Sequence, residues 1–142
     1  MSIIDKGRDI IRTEGHLVIA TGEPVRISYT VGLTPRLGYE VFVIGLPVNV
    51  AQHVLNTLAS TLVESEIADR VPVDEVANVP LRLSFVPLDT TPATVARLRM
   101  IPALGYAPQR MRQLLIPDTE GVFPGEEGYS LPFAQTLDET GI

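Results

Sequence analysis

Few side chains in this sequence can do chemistry, and their types and spacing say which chemistry. The two histidines, His16 and His53, stand far apart, and neither has a second histidine or a carboxylate at the interval of a helical metal site, so no metal site is expected. Cysteine is absent, which removes disulfides, thiolate metal centres and cysteine nucleophiles together. Lys6 is the only lysine, so there is no GxxxxGK[ST] phosphate loop, and no GxGxxG follows a strand pattern. Gly128-Tyr129-Ser130-Leu131-Pro132 approaches the GxSxG nucleophile elbow. Its last glycine is proline, however, and no helix pattern follows to hold the strained turn. No catalytic residue and no cofactor is therefore assigned.

What remains is polar chemistry embedded in apolar strands. Tyr29 shares the core-facing side of its segment with Val25, Ile27 and Val31, Gln113 shares a side with Met111 and Leu115, and His16 opens the first strand pattern. A buried polar group left without a partner costs about 1–3 kcal/mol. The simpler reading is therefore internal satisfaction, with the tyrosine hydroxyl on a backbone carbonyl and the glutamine bridging strands. The functional reading is one pocket lined by Tyr29 and Gln113, with His16 or Arg36 at its rim. There the phenol would donate a hydrogen bond, the amide would orient a polar ligand, and His16 would be the candidate for acid–base work near neutral pH. The arginines suggest a small anionic metabolite or nucleotide as that ligand.

Charge narrows the partners. The net charge of −6 is unevenly placed: residues 117–142 carry six acids and no Lys or Arg. Just before them, Arg97, Arg99, Arg110 and Arg112 stand in a stretch without an acid. The tail folding back on these arginines is the simpler reading, and an anion site is the other. The acids Asp118, Glu120, Glu126 and Glu127 lack EF-hand spacing and read as solvated charge rather than a calcium site. No basic, aromatic-interleaved patch supports nucleic-acid binding.

The elements that must position these groups are legible. With 142 residues, 45% of them hydrophobic, one domain with one core is expected over 1–142, with an acidic irregular segment from about 117. Ile3, Ile4, Gly7, Ile10 and Ile11 share one face of a helix over 2–13, which Gly15 stops. Segments 16–20 and 25–31 form a hairpin, and 32–38 is a loop. Val41-Phe42-Val43-Ile44 is apolar on both sides and belongs in the middle of a sheet. Pro47 opens a helix over 48–64 with Ala51, Leu55, Leu58 and Leu62 buried and His53 opposite them. Val41 to Val63 carries no formal charge, but Pro47, Asn49, Gln52, His53 and Asn56 interrupt it, so no membrane span is expected. Strands at 81–86 and 111–116 and a helix over 91–103 complete the pattern, with Val122-Phe123 returning antiparallel. If 81–86 pairs in parallel with 41–46, the crossover is right-handed. The fold class is α+β: a mixed sheet of about five strands packed by two or three helices, in which 25–31 and 81–86 want a polar face or an edge.

Two blocks then resemble a known family. Ser28-Tyr29-Thr30-Val31-Gly32-Leu33-Thr34, running into Gly38-Tyr39-Glu40 and Val43-Ile44-Gly45-Leu46-Pro47, is one. Gln113-Leu114-Leu115-Ile116-Pro117-Asp118, with Gly121, Phe123 and Pro124, is the other. Together they resemble the signature of domain of unknown function 4262, a family of small bacterial or bacteriophage proteins without assigned activity. The resemblance touches Tyr29, Thr30, Gly32, Gln113, Pro117, Asp118 and Phe123 and gives none of them a role. The family usually has an aromatic residue where Ile116 stands and tryptophan where Gly125 stands. The functional expectation is a cytoplasmic protein-interaction or regulatory module, with a homodimer or another protein as partner. The alternative is the small-ligand pocket or enzyme at Tyr29 and Gln113.

Overall fold

The computed structural model describes residues 2–21, 26–67, 81–86, 98–117, 120, 122–123 and 126–128. In chain order the elements are α1 (Ile3–Glu14), β1 (Leu17–Thr21), β2 (Ile27–Val31), α2 (Thr34–Leu37), β3 (Tyr39–Ile44), α3 (Val48–Glu64), β4 (Arg82–Val86), α4 (Met100–Ala103) and β5 (Arg110–Leu115). The strands form one mixed sheet of order β1-β2-β3-β5-β4, the α+β architecture expected.

α1 begins where the Ser2 hydroxyl accepts the Asp5 N–H at 3.1 Å and ends where Gly15, in the left-handed region, donates its N–H to the Ile11 carbonyl at 2.7 Å. β1 and β2 form the expected hairpin, with Leu17 opposite Val31 and Ile19 opposite Tyr29. β3 lies at the centre with all six residues buried.

The parallel partner of β3 is β5, not β4; β4 joins antiparallel to β5 and takes the edge. β2 also departs from expectation. Between β1 and β3 it is no edge, and its second face is not solvated: Ser28 and Thr30 are buried. Residues 34–37, expected as loop, form a helical turn with Pro35 in its first positions. Val122 and Phe123 are not a strand. Residues 91–97 of the expected helix over 91–103 lie outside the described residues, as do Val25, Ser130, Asp118 and residues 129–142 of the acidic tail.

Apolar side chains pack on both faces of the sheet. α3 covers one face with Ala51, Leu55, Leu58 and Leu62, together with Val54 and Ala59, against Val41, Val43, Leu83 and Leu114. The other face gathers Ile27, Tyr29, Val31, Phe42 and Met111 under Leu98 and Ile101, with Ile4 and Ile11 of α1 against it. No helix among the described residues is long and apolar enough to cross a membrane; Val41 to Val63 is the end of β3 followed by α3.

Gly32 joins these layers. Its φ is +112°, and a Cβ there would meet Ile11 Cγ2 at 3.0 Å and the Gly15 carbonyl oxygen and His16 Cα at 3.3 Å. Glycine is thus required twice, by backbone conformation and by close approach. Gly32→Ala is expected to lower the free energy of unfolding by about 1–3 kcal/mol, the usual cost of a strained backbone position. Urea denaturation measures it, and a loss below half a kcal/mol would mean that the loop moves freely.

Candidate functional site

Tyr29 and Gln113 do come into one row of the sheet. Tyr29 is paired with Phe42, and Phe42 with Gln113, so they sit two strands apart, roughly 10 Å between backbones at ordinary strand spacing. Both are fully buried. The Tyr29 hydroxyl accepts the Met100 N–H at 3.3 Å and so ties α4 to the sheet. Burial raises its pKa, against the weaker pull of the Met100 bond, and the phenol stays neutral. Beside this row lies an apolar cavity of about 230 Å³ between Leu98, Ile101, Tyr106, Pro108 and Met111. Neither Tyr29 nor Gln113 is among its lining residues.

His16 and Arg36 lie elsewhere, on either side of Gly15. A Cβ on Gly15 would stand 3.1 Å from Arg36 Nη2, so the exposed guanidinium lies over that glycine. His16 points to the α3 side, where its Nε2 is 2.8 Å from Asn56 Oδ1. Because an amide oxygen only accepts, the Nε2 of this pair carries the proton. The pair stands in a groove of about 380 Å³ where α1, β1 and α3 meet, with Glu14, Val18, Gln52 and Ser60 among its walls. A shallower hollow continues along α3 past Thr57 and Thr61 to Glu64. The groove can hydrogen-bond through an imidazole, two amides, a hydroxyl and a carboxylate.

Two buried charges were not anticipated. Glu40 is wholly buried and accepts five hydrogen bonds: from the Thr30 hydroxyl (2.8 Å), from the N–H groups of Gly32 (3.1 Å), Leu33 (3.2 Å) and Thr34 (2.8 Å), and from the Thr34 hydroxyl (2.5 Å). The Thr30 hydroxyl in turn accepts the Val41 N–H at 3.0 Å. A carboxylate thus takes up the backbone groups released where β2 leaves the ladder, whose last paired residues are Tyr29 and Phe42. The signal in the sequence was a Thr-x-Gly-x-Thr run shortly before an acid inside an apolar stretch.

Arg112 is the second. Its guanidinium donates to Glu66 Oε1 (2.9 Å), the Tyr39 hydroxyl (3.3 Å) and the Ile67 carbonyl (2.8 Å), and it lies 4.3 Å from the centre of the Phe85 ring. Arg110 covers the same ring at 3.9 Å. Burial raises the Tyr39 phenol, with Arg112 pulling the other way. Of the arginine group weighed as a partner for the acidic tail, Arg112 is therefore paired with Glu66. Among the described residues no cluster of three or more His, Cys, Asp or Glu side chains is placed to hold a metal ion.

The two signature blocks recognised in the sequence thus meet across the central strands, and the family follows. Residues 10–130 match the family described as Domain of unknown function (DUF4262), and the chain belongs to it. No curated protein and no solved structure matches it significantly. Three of the signature residues have structural work here: Tyr29 anchors α4, and Thr30 and Gly32 serve Glu40.

The Glu40 carboxyl titrates above the ordinary carboxylate range because burial outweighs its donors, the Thr34 and Thr30 hydroxyls foremost among them. The fold therefore takes up this proton at a higher pH than the unfolded chain. The group's stabilising contribution is complete below the ordinary carboxylate value and is lost as pH rises through the raised one. Glu40→Gln is expected to cost about 1–3 kcal/mol at neutral pH, since the amide nitrogen cannot accept the donors aimed at one oxygen. In urea titrations from pH 7 down to about 4.5, the gap between wild type and variant should widen. A gap that narrows would show that the donors, and not burial, set this carboxyl's pKa.

Proposed function

We propose that this member of the DUF4262 family is a protein-interaction module that works through the outer face of α3 and the groove beside it. One observation carries the reading: α3 runs for 17 residues without Lys or Arg, and its only acid is the last residue, Glu64. Its exposed side chains include Asn49, Gln52, His53, Asn56 and Ser60, flanked by Val48, Val50 and Val63 at 38–44% exposure. A solvent-facing helix surface ordinarily carries charges of both signs. Depletion of charge, with uncharged polar groups and scattered apolar ones, is what the buried centre of an interface needs, because no ion has to be stripped of water. The groove at His16 and Asn56 gives that surface relief. The lack of cysteine agrees with work in a reducing, intracellular compartment, and the bacterial or phage setting rests on the family likeness alone.

The small-ligand reading keeps one observation, the apolar cavity beside Met111, two residues from Gln113. At about 230 Å³ it falls below the usual 300–1,000 Å³ of metabolite sites, and its walls suit an apolar group rather than an anion. The interaction module is therefore the preferred reading.

The test is affinity capture from extracts of the source cells, with the wild type beside Ser60→Arg and Gln52→Arg. Both positions are exposed, so the variants should keep the wild-type circular dichroism and melting temperature. Capture of a specific partner is expected to fall at least about tenfold in either variant, the effect of about 1.4 kcal/mol at an interface. A captured set unchanged by both substitutions would overturn the assignment of this surface.

A further inference from the structure

The outer face of α3 has an internal symmetry that its lack of charge makes useful. Asn56 is the middle residue of Val48–Glu64, and Gln52 and Ser60 stand one turn to either side of it, all three exposed. Two such helices laid antiparallel across a twofold axis bring each Asn56 against its counterpart and each Gln52 against the Ser60 of the other copy. Every one of these pairs joins a donor to an acceptor: an amide holds both, and so does a hydroxyl. His16 holds the Asn56 amide through Oδ1, and the exposed amide keeps its N–H donors for the pair.

We propose, resting on the reading of α3 as an interaction surface, that the partner it fits is a second copy of this chain, in a twofold antiparallel pair centred on Asn56. Charge chooses this occupant. Each chain carries −6, so two copies repel one another across most approaches. The α3 face offers an approach on which the nearest acids are peripheral, Glu64 at the helix end and Glu14 on the far wall of the groove. A twofold contact must also be self-complementary, which the sequence of 52, 56 and 60 is.

Area sets the strength. A helix of 17 residues is about 25 Å long and 10–12 Å wide, so each copy gives up roughly 300 Å² from the helix face, to which the groove walls add. That is less than the ~800 Å² per partner of a standard stable interface, so the pair should be weak, with a dissociation constant on the order of 10 µM.

The test is light scattering on the purified full chain over a concentration series, with Asn56→Arg, Asn56→Glu and their equimolar mixture. The wild type should pass from one-chain to two-chain mass as concentration rises. Each variant alone places two like charges on the axis and should stay a monomer, while the mixture should recover the two-chain species as a heterodimer. Unchanged circular dichroism in the variants separates this loss from unfolding. A wild type still monomeric at about fifty times the expected dissociation constant, a dimer that survives both variants, or a mixture that fails to recover it would each overturn the proposal. If the wild type is monomeric and its captured partner is nonetheless lost in Ser60→Arg, the interaction surface stands and only the second copy is excluded.

Discussion

The buried carboxylate of Glu40 is the constraint around which the first half of the chain is arranged. A charge removed from water is tolerable only if its lone pairs are filled, and here five donors from residues 30–34 fill them. To reach it, the chain after Tyr29 must leave its ladder with β3 and turn the N–H groups of residues 32–34 inward through a left-handed Gly32. That turn presses Gly32 against Gly15 and His16, and His16 reaches Asn56 at the middle of α3. One chain of contacts thus leads from the family signature to the groove. Residues recognisable in the sequence as a signature shape the walls of the groove without lining it.

Arg112 solves the same problem from the other side of charge. Planar and weakly hydrated, it stacks on Phe85 and spends its amino groups on Glu66, Tyr39 and Ile67, while its buried Nε has no partner among the described residues. Glu66 is largely exposed, so much of this ion pair's electrostatic gain is screened by solvent. The value of Arg112 lies in joining β5 to the chain that leaves α3. Truncating it would strand Glu66 little but would remove a side chain that fills space between two aromatic rings.

What the sequence made legible was periodic. The alternation of Ile27, Tyr29 and Val31, the two-sided apolar run of β3 and the stripe of α3 are patterns of single elements, and each became the element its period required, although the second face of β2 is buried and not solvated. What it hid was pairing over distance. Glu40 carries no role in the sequence, since nothing in an acid declares that its partners are backbone N–H groups six to eight positions earlier. Arg112 reads as one of four arginines available to the acidic tail or to an anion because its partner, Glu66, lies 46 residues away. The parallel match of β3 to β5 rather than β4 was likewise undetermined, because two apolar strands of similar length compete equally for one neighbour. Tyr29 and Gln113 were rightly read as inward-facing, yet period alone does not say whether an inward polar group meets a ligand or, as the Tyr29 hydroxyl does, a backbone N–H. His16 and Arg36 were picked as rim residues of that pocket. They flank Gly15 instead, because the hairpin turns His16 towards α3.

The composition of α3 is hard to explain by folding alone. It has no side-chain cap at Pro47, no acid in its first turn, no base in its last and no oppositely charged pair along its length. Its helicity must therefore come from burial of Ala51, Val54, Leu55, Leu58, Ala59 and Leu62 against the sheet. A helix held in this way leaves its outer positions open to the best helix formers. Alanine, glutamate or lysine there would each add up to about 0.5 kcal/mol over asparagine, serine or threonine, and charges would also aid solubility. The chain has instead placed Asn49, Asn56, Thr57, Ser60 and Thr61 along that surface. At the exposed Asn49, Asn56 and Ser60 that choice forgoes helix stability, and the interaction surface proposed above would account for a face kept neutral and hydrogen-bonding at that cost.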